Sequence, residues 1–181
     1  MKFDREELEL DPTDWMILEQ LQENCKRPLA AIGEKVGLTA PSVLDRIHKL
    51  EQAGVIREYV AVLDARLLGR DVTAFIGVSI CHPRAIGAFE QAVGRMNEVL
   101  DCHHVTGGHT LLLKVKVDDT EALERVIERL RENDGVTRTE TMVVLSTHTE
   151  RTRIPLPVDE PPRRRRRARN GSRPRRAGPD A

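Results

Sequence analysis

The sequence predicts an α+β chain with an N-terminal winged helix-turn-helix and a C-terminal ferredoxin-like βαββαβ domain. Three observations carry this. Three short helical patterns crowd into residues 11–53, the second and third parted by a tight glycine turn. From residue 72 the rhythm changes to alternating, β-branched runs and two amphipathic helices in the order βαββαβ. After residue 154, proline and arginine replace apolar residues. These shifts divide the chain into 1–64 (winged helix-turn-helix with linking strand), 65–154 (ferredoxin-like domain) and 155–181 (basic Arg/Pro-rich tail).

The first helix starts at Leu10-Asp11-Pro12-Thr13-Asp14. Asp11 caps it, Pro12 suits its first turn and Asp14 complements its dipole. Ile17, Leu18 and Leu21 form its buried stripe, with Trp15 on the shoulder. Pro28 opens the second helix, where Leu29, Ile32 and Val36 face inward and Gly37 ends the run. Thr39 caps the third helix, with Pro41 in its first turn and Leu44, Ile47 and Leu50 inward. Val55, Ile56 and the alternating Tyr59-Val60-Ala61-Val62-Leu63 read as a strand.

The second half begins with a strand over Val72–Ile80. A helix over Arg84–Met96 turns Ile86, Phe89, Ala92, Val93 and Met96 inward. Strands over Val99–Thr106 and Leu111–Val117 are joined by the Gly107-Gly108 turn. A helix over Thr120–Glu132 presents Leu123, Val126, Ile127 and Leu130 on one face. Gly135 breaks it, and Val136–Ser146 is the last strand. Two helices on one face of such a sheet leave the other uncovered. Apolar residues there, among them Phe75, Leu112 and Val144, point to burial against a second copy.

Composition bounds the function. The chain has 181 residues, 39% hydrophobic and only 3% aromatic, so its core is aliphatic. No apolar run reaches the roughly 18 residues that span a bilayer. The charged N-terminus lacks the apolar core of a secretory signal. Three scattered cysteines, Cys25, Cys81 and Cys102, make no disulfide framework and place the chain in a reducing cytoplasm.

The 29 basic and 29 acidic residues cancel, but not locally. Residues 151–181 hold 11 arginines and 3 acidic residues, a balance of +8, against −8 for residues 1–150 with 18 basic and 26 acidic. The tail's prolines, its five consecutive arginines Arg163–Arg167 and its lack of large apolar residues after Val158 predict disorder. It is an electrostatic arm on the DNA backbone, an arm on the acidic body, or a solvated extension. Segment 26–59 is mildly positive, with six basic and four acidic residues. On the third helix the outward face Ala40, Pro41, Ser42, Asp45, Arg46, His48 and Lys49 reads as a recognition surface. Ser42 and Arg46 then sit near base edges and Lys49 near phosphate.

Several strings resemble the Lrp/AsnC, or feast/famine, family of regulators. They are Leu10-Asp11-x-x-Asp14-x-x-Ile17-Leu18, Val36-Gly37-Leu38-Thr39, and Leu44-x-Arg46-Ile47-x-Lys49-Leu50-Glu51-x-x-Gly54-Val55-Ile56. Further along come Cys102-His103-His104-Val105-Thr106-Gly107, Leu112-Leu113-Lys114 and Gly135-Val136-x-x-Thr139-x-Thr141. The similarity runs in order from about residue 10 to 150. It implies a cytoplasmic, nucleoid-associated transcription regulator without a cofactor, binding double-stranded operator DNA as a homodimer or octamer. It also implies a small-molecule effector, often an amino acid, between C-terminal domains. By position, DNA contacts fall on Pro41, Ser42, Asp45, Arg46, Lys49, Arg57 and Tyr59. The effector turn maps to Thr106, Gly107, Gly108, His109, Thr110 and Leu111.

That turn departs from the family's Gly-Asp-x-Asp-Tyr: both carboxylates are absent, so an amino-acid ammonium loses its obvious partner. The Gly107-Gly108 amides can still hold a carboxylate, and His109 offers a hydrogen bond or a pH-sensitive charge. A different ligand, or none, stays open. Pro28 stands where a serine cap is usual. A metal site from Cys81-His82, Cys102-His103-His104 and His109 is disfavoured, because neighbours along a strand face opposite ways. No Gly-rich phosphate loop, HExxH, GxSxG or paired CxxC points to an enzyme. The alternative function is a ligand-binding or scaffolding oligomer that reads no DNA.

Overall fold

A computed structural model describes residues 9–157. The chain divides into two compact units, Met1–Val60 with Arg151–Ala181, and Ala61–Glu150. From residue 158 onward the tail, with the expectation of disorder placed on it, lies outside the described residues.

The first unit is a trihelical head of α1 (Pro12–Glu23), α2 (Leu29–Val36) and α3 (Ala40–Gln52). The entry to α1 is a reciprocal capping box. The Asp14 amide donates to Asp11 Oδ1 at 2.8 Å, and the Asp11 amide to Asp14 Oδ2 at 3.1 Å. α2 ends on Gly37 at φ 71°, the left-handed cap that favours glycine. Thr39 caps α3, accepting from the Ser42 amide at 3.4 Å. Ile17, Ile32, Val43 and Ile47 form the core, with Leu21, Leu29, Val36, Leu38 and Ile56 packed around it.

Two expectations need correction here. The inward stripe of α3 is Val43, Ile47 and Leu50, while Leu44 is 38% exposed. Spacings of four and three follow the helix's 3.6-residue turn more closely than the two threes of 44, 47 and 50. No strand forms over Tyr59–Leu63. Its residues keep the alternating pattern but are exposed, Val62 by 76%. A strand needs a neighbour for its backbone donors and acceptors, and among the described residues the segment has none.

The second unit holds β1 (Val72–Ile80), α4 (Pro83–Val93), β2 (Val99–His104), β3 (Leu111–Val117), α5 (Thr120–Arg131) and β4 (Val136–Val143). A single 3₁₀ turn, Arg66–Leu68, precedes β1 and was not expected from sequence. The sheet order is β2-β3-β1-β4, every pair antiparallel. This is the βαββαβ arrangement expected. Strand alternation separates two faces. On the helix-covered face Ala74, Ile76, Val78, Leu111, Leu113, Val115 and Val117 pack against Phe89, Val93, Leu123, Val126 and Leu130. By the β1–β3 and β1–β4 registers, Phe75, Leu112 and Met142 share the opposite face. Lys114 and Lys116 lie there too, both ion-paired to Glu150, whose carboxyl they hold below its usual range. Among the described residues no helix is long and apolar enough to cross a membrane.

Candidate nucleic-acid interface and effector turn

The outer side of α3 carries the first group of residues expected to bind. Pro41, Asp45 and Lys49 are exposed, and Ser42 is half-buried with its hydroxyl 2.9 Å from that of Thr39. Ser42, Asp45, Arg46 and Lys49 line one shallow cleft of about 490 Å³, together with Asp11 and Asp14 at the entry to α1.

Arg46 is engaged within the head. Its Nη1 donates to Asp11 Oδ2 at 2.6 Å and to Asp14 Oδ1 at 2.7 Å. One turn of α3 thus clamps the capping box of α1. Burial raises the Asp11 carboxyl, but hydrogen bonds from Arg46 and from local amides outweigh it, so its pKa lies below the ordinary value. The same contacts raise the Arg46 guanidinium. Arginine matches two carboxylates well because its donors form a planar fork. The signal for this pairing was in the sequence: Asp11 and Asp14, three apart, present two carboxylates on one side of a helix start.

Lys49 and Arg57 remain as cations with no ion pair among the described residues. Tyr59 donates its hydroxyl to Glu51 at 2.8 Å, which ties the segment after α3 back to that helix. Burial, then the adjacent carboxylate, pushes the phenol up to about 12.

The expected effector turn joins β2 to β3. Thr106, Gly107 and Gly108 are exposed, and Gly107 adopts φ 121°, a conformation that disfavours any side chain. Thr110 is a fastener: its amide donates to the Val78 carbonyl at 2.9 Å, and its Oγ1 accepts from the Ile80 amide at 3.1 Å. Leu111 is fully buried in the helix-covered core. The pleat turns its side chain away from the uncovered face.

His109 faces the other way. Its imidazole lies against Gly77 of β1, filling the space a side chain would take; a β-carbon there would stand 2.5 Å from the ring. Its Nε2 is 3.7 Å from Glu140 Oε2 on β4, and Arg138 holds that carboxylate at 2.9 Å. Its Nδ1 is buried with no hydrogen-bond partner among the described residues. Gly77 and Glu140 were missed from sequence. A glycine inside a strand is a known sign of close approach, whereas nothing local marks Glu140, which arrives through the β1–β4 register Gly77↔Glu140. Cys102 and His103 alternate across β2, and among the described residues no group of three or more His, Cys, Asp or Glu side chains is placed to hold a metal ion.

A capped trihelical head and a four-stranded α+β unit with a glycine turn over an open sheet face define a helix-turn-helix protein with a ligand-domain architecture. Residues 10–51 match the AsnC-type helix-turn-helix domain, and residues 73–154 match the Lrp/AsnC ligand binding domain. The chain belongs to the Lrp/AsnC family of transcriptional regulators. It is 31% identical over 154 residues to the transcriptional regulator AzlB of Bacillus subtilis, covering 83% of this chain and 97% of that protein. A transcriptional regulator, NMB0573, of Neisseria meningitidis, solved as its L-Met complex, is 34% identical. It covers 81% of this chain and 97% of its own, with a TM-score of 0.77. The feast or famine regulatory protein Rv3291c of M. tuberculosis, solved with L-methionine, is 25% identical over 81% of this chain and 99% of its own, with a TM-score of 0.75.

Proposed function

We propose that this chain is a sequence-specific DNA-binding transcription regulator of the cytoplasm, acting on nucleoid DNA as a homo-oligomer and tuned by an amino-acid-class effector. Its role is regulatory rather than catalytic. The observation that carries the reading is a head whose recognition helix is braced by the Arg46–Asp11/Asp14 clamp yet leaves Pro41, Asp45 and Lys49 outward. In this reading Ser42 and Asp45 address base edges, while Lys49 and Arg57 meet phosphates. Arg46 is a positioning residue for α3.

The effector reading rests on three kinds of group brought together in the second unit. The Gly107-Gly108 backbone suits a carboxylate. Glu140 supplies the anion an ammonium needs, from β4 rather than from the turn. His109 Nδ1 is a buried polar atom without a hydrogen-bond partner among the described residues. The relatives solved with L-methionine support an amino acid as the ligand class. The exposed apolar Met142, with Phe75 and Leu112 on its face, supports a second copy across the open sheet. A ligand seated between copies changes DNA affinity only through different affinities for the two assembly states. Genome-wide mapping of bound sites tests the reading. It should return a shared, two-fold-related motif, and scattered occupancy without a motif would sink it.

A further inference from the structure

His109 leaves the β2–β3 turn and lies across Gly77, where the sheet has no side chain of its own. This notch seats the ring, and the register Gly77↔Glu140 brings the carboxylate beside it. Nε2 stands 3.7 Å from Glu140 Oε2, and Arg138 holds the same carboxylate at 2.9 Å. Glu140 and Arg138 cancel in charge. The protonation of His109 therefore decides whether the cluster is neutral or carries one positive charge.

The other groups on this face leave that decision to the ring. Lys114 and Lys116 on β3 are both paired to Glu150. By the β2–β3 register, Asp101 lies opposite Lys114 and His103 opposite Leu112. β1 contributes Phe75 and Ser79 on either side of Gly77, neither of them charged. Residues 105–110 hold no titratable side chain except His109. A charged ring also carries a proton on buried Nδ1, which has no acceptor among the described residues. Glu140 is the only carboxylate within ion-pair distance of the ring among the described residues. Histidine is the side chain whose charge changes between pH 5 and 8.

We propose that effector binding at this site expels a proton from His109, so that acid weakens it. This rests on the reading that Glu140 takes the effector's ammonium. One carboxylate then faces two claimants, the ammonium and the imidazolium. Seated together they would stand about 6 Å apart, and at an effective dielectric of about 20 their repulsion weakens binding about a hundredfold. Glu140 is half-exposed, and screening by solvent reduces this to roughly tenfold. The proton passes to solvent, and no covalent bond to the effector forms. A free amino acid with an uncharged side chain keeps one charge state over this range, so the dependence arises in the protein.

The test uses the full chain and L-methionine, the amino acid bound in two solved relatives. Titration calorimetry at pH 5 and pH 8 should give a Kd roughly tenfold weaker at pH 5. At about pH 6.5, buffers of different ionisation heat should reveal net proton release on binding. In His109→Gln the Kd should be the same at both pH values, whatever its absolute size. His103→Gln should keep the parent's pH dependence. Equal Kd values in the parent, proton uptake, or an undiminished pH dependence in His109→Gln would overturn the proposal. A second measurement needs no effector. Melts of the unliganded protein should show His109→Gln and Glu140→Gln coupled at pH 5 and additive at pH 8, because the pair stabilises only while the ring is charged. Additivity at both values would overturn the proposal too. If that coupling is intact but L-methionine binds at neither pH, the ammonium reading of Glu140 has failed and takes the proposal with it, a result distinct from the others.

Discussion

The imidazole of His109 occupies the volume that a side chain at Gly77 would fill, 2.5 Å from the position of a β-carbon. A residue of the β2–β3 turn is thereby seated on β1, beside Glu140 of β4. Gly77→Ala must expel the ring or shift the strand, and overpacking of this kind costs about 1–3 kcal/mol. Removing the ring should relieve it. The double variant Gly77→Ala/His109→Ala is expected to melt above Gly77→Ala alone, a coupling measurable by a double-mutant cycle. Additive losses would mean that the two residues do not share this space.

Glu140 is expected to carry the ammonium of the effector. In thermal melts with each of the twenty amino acids at millimolar concentration, at least one should raise the melting temperature. Saturation a hundredfold above Kd stabilises by about 2.7 kcal/mol. Glu140→Gln keeps the shape and removes the charge, so it should abolish most of the shift while leaving the unliganded melting temperature nearly unchanged. A full shift in that variant would move the ammonium site elsewhere.

The clamp of Arg46 on Asp11 and Asp14 makes a prediction that separates bracing from base reading. Arg46→Ala should destabilise the head by about 1 kcal/mol, the scale of a partly exposed charged pair. That lowers its melting temperature by roughly 4–8 °C. Asp14→Asn should reproduce the loss, because it breaks the same contact from the other side. Neither should change which bases the protein prefers. A loss of preference at one base position in Arg46→Ala alone would restore the base-contact role.

The same clamp has a pH signature. The folded-state pKa of Asp11 lies below its ordinary value. Its contribution is thus fully present above the unfolded-state pKa, about 3.9, and is lost as pH falls through the lower folded value. Urea unfolding should show Arg46→Ala less stable than the parent at pH 7, with the gap closing in strong acid. A constant gap from pH 7 to pH 2 would rule the carboxylates out as the source.

Much of the fold was legible because local signals agreed. The Asp11 cap, Thr39 cap and Gly37 stop bounded the head helices, and period-two alternation placed all four strands of the sheet within a few residues. What the sequence did not reveal shares one physical cause: information held in partners. Tyr59–Leu63 has the alternation of a strand but no strand neighbour among the described residues. Arg46 looked outward on its own helix and was drawn back by carboxylates 32 and 35 residues away. Leu111 belonged to the turn by position and to the core by pleat. Glu140 reaches His109 only through sheet register, which no window of sequence contains.

The most direct measurement is the affinity of the complete chain for a duplex from its own upstream region and for a scrambled duplex of equal length, with and without the stabilising amino acid, at fixed salt. A specific regulator discriminates by about a thousandfold or more, and the amino acid should change the affinity for the specific duplex at least several-fold. Equal affinity for both duplexes, unmoved by any amino acid, would contradict the account.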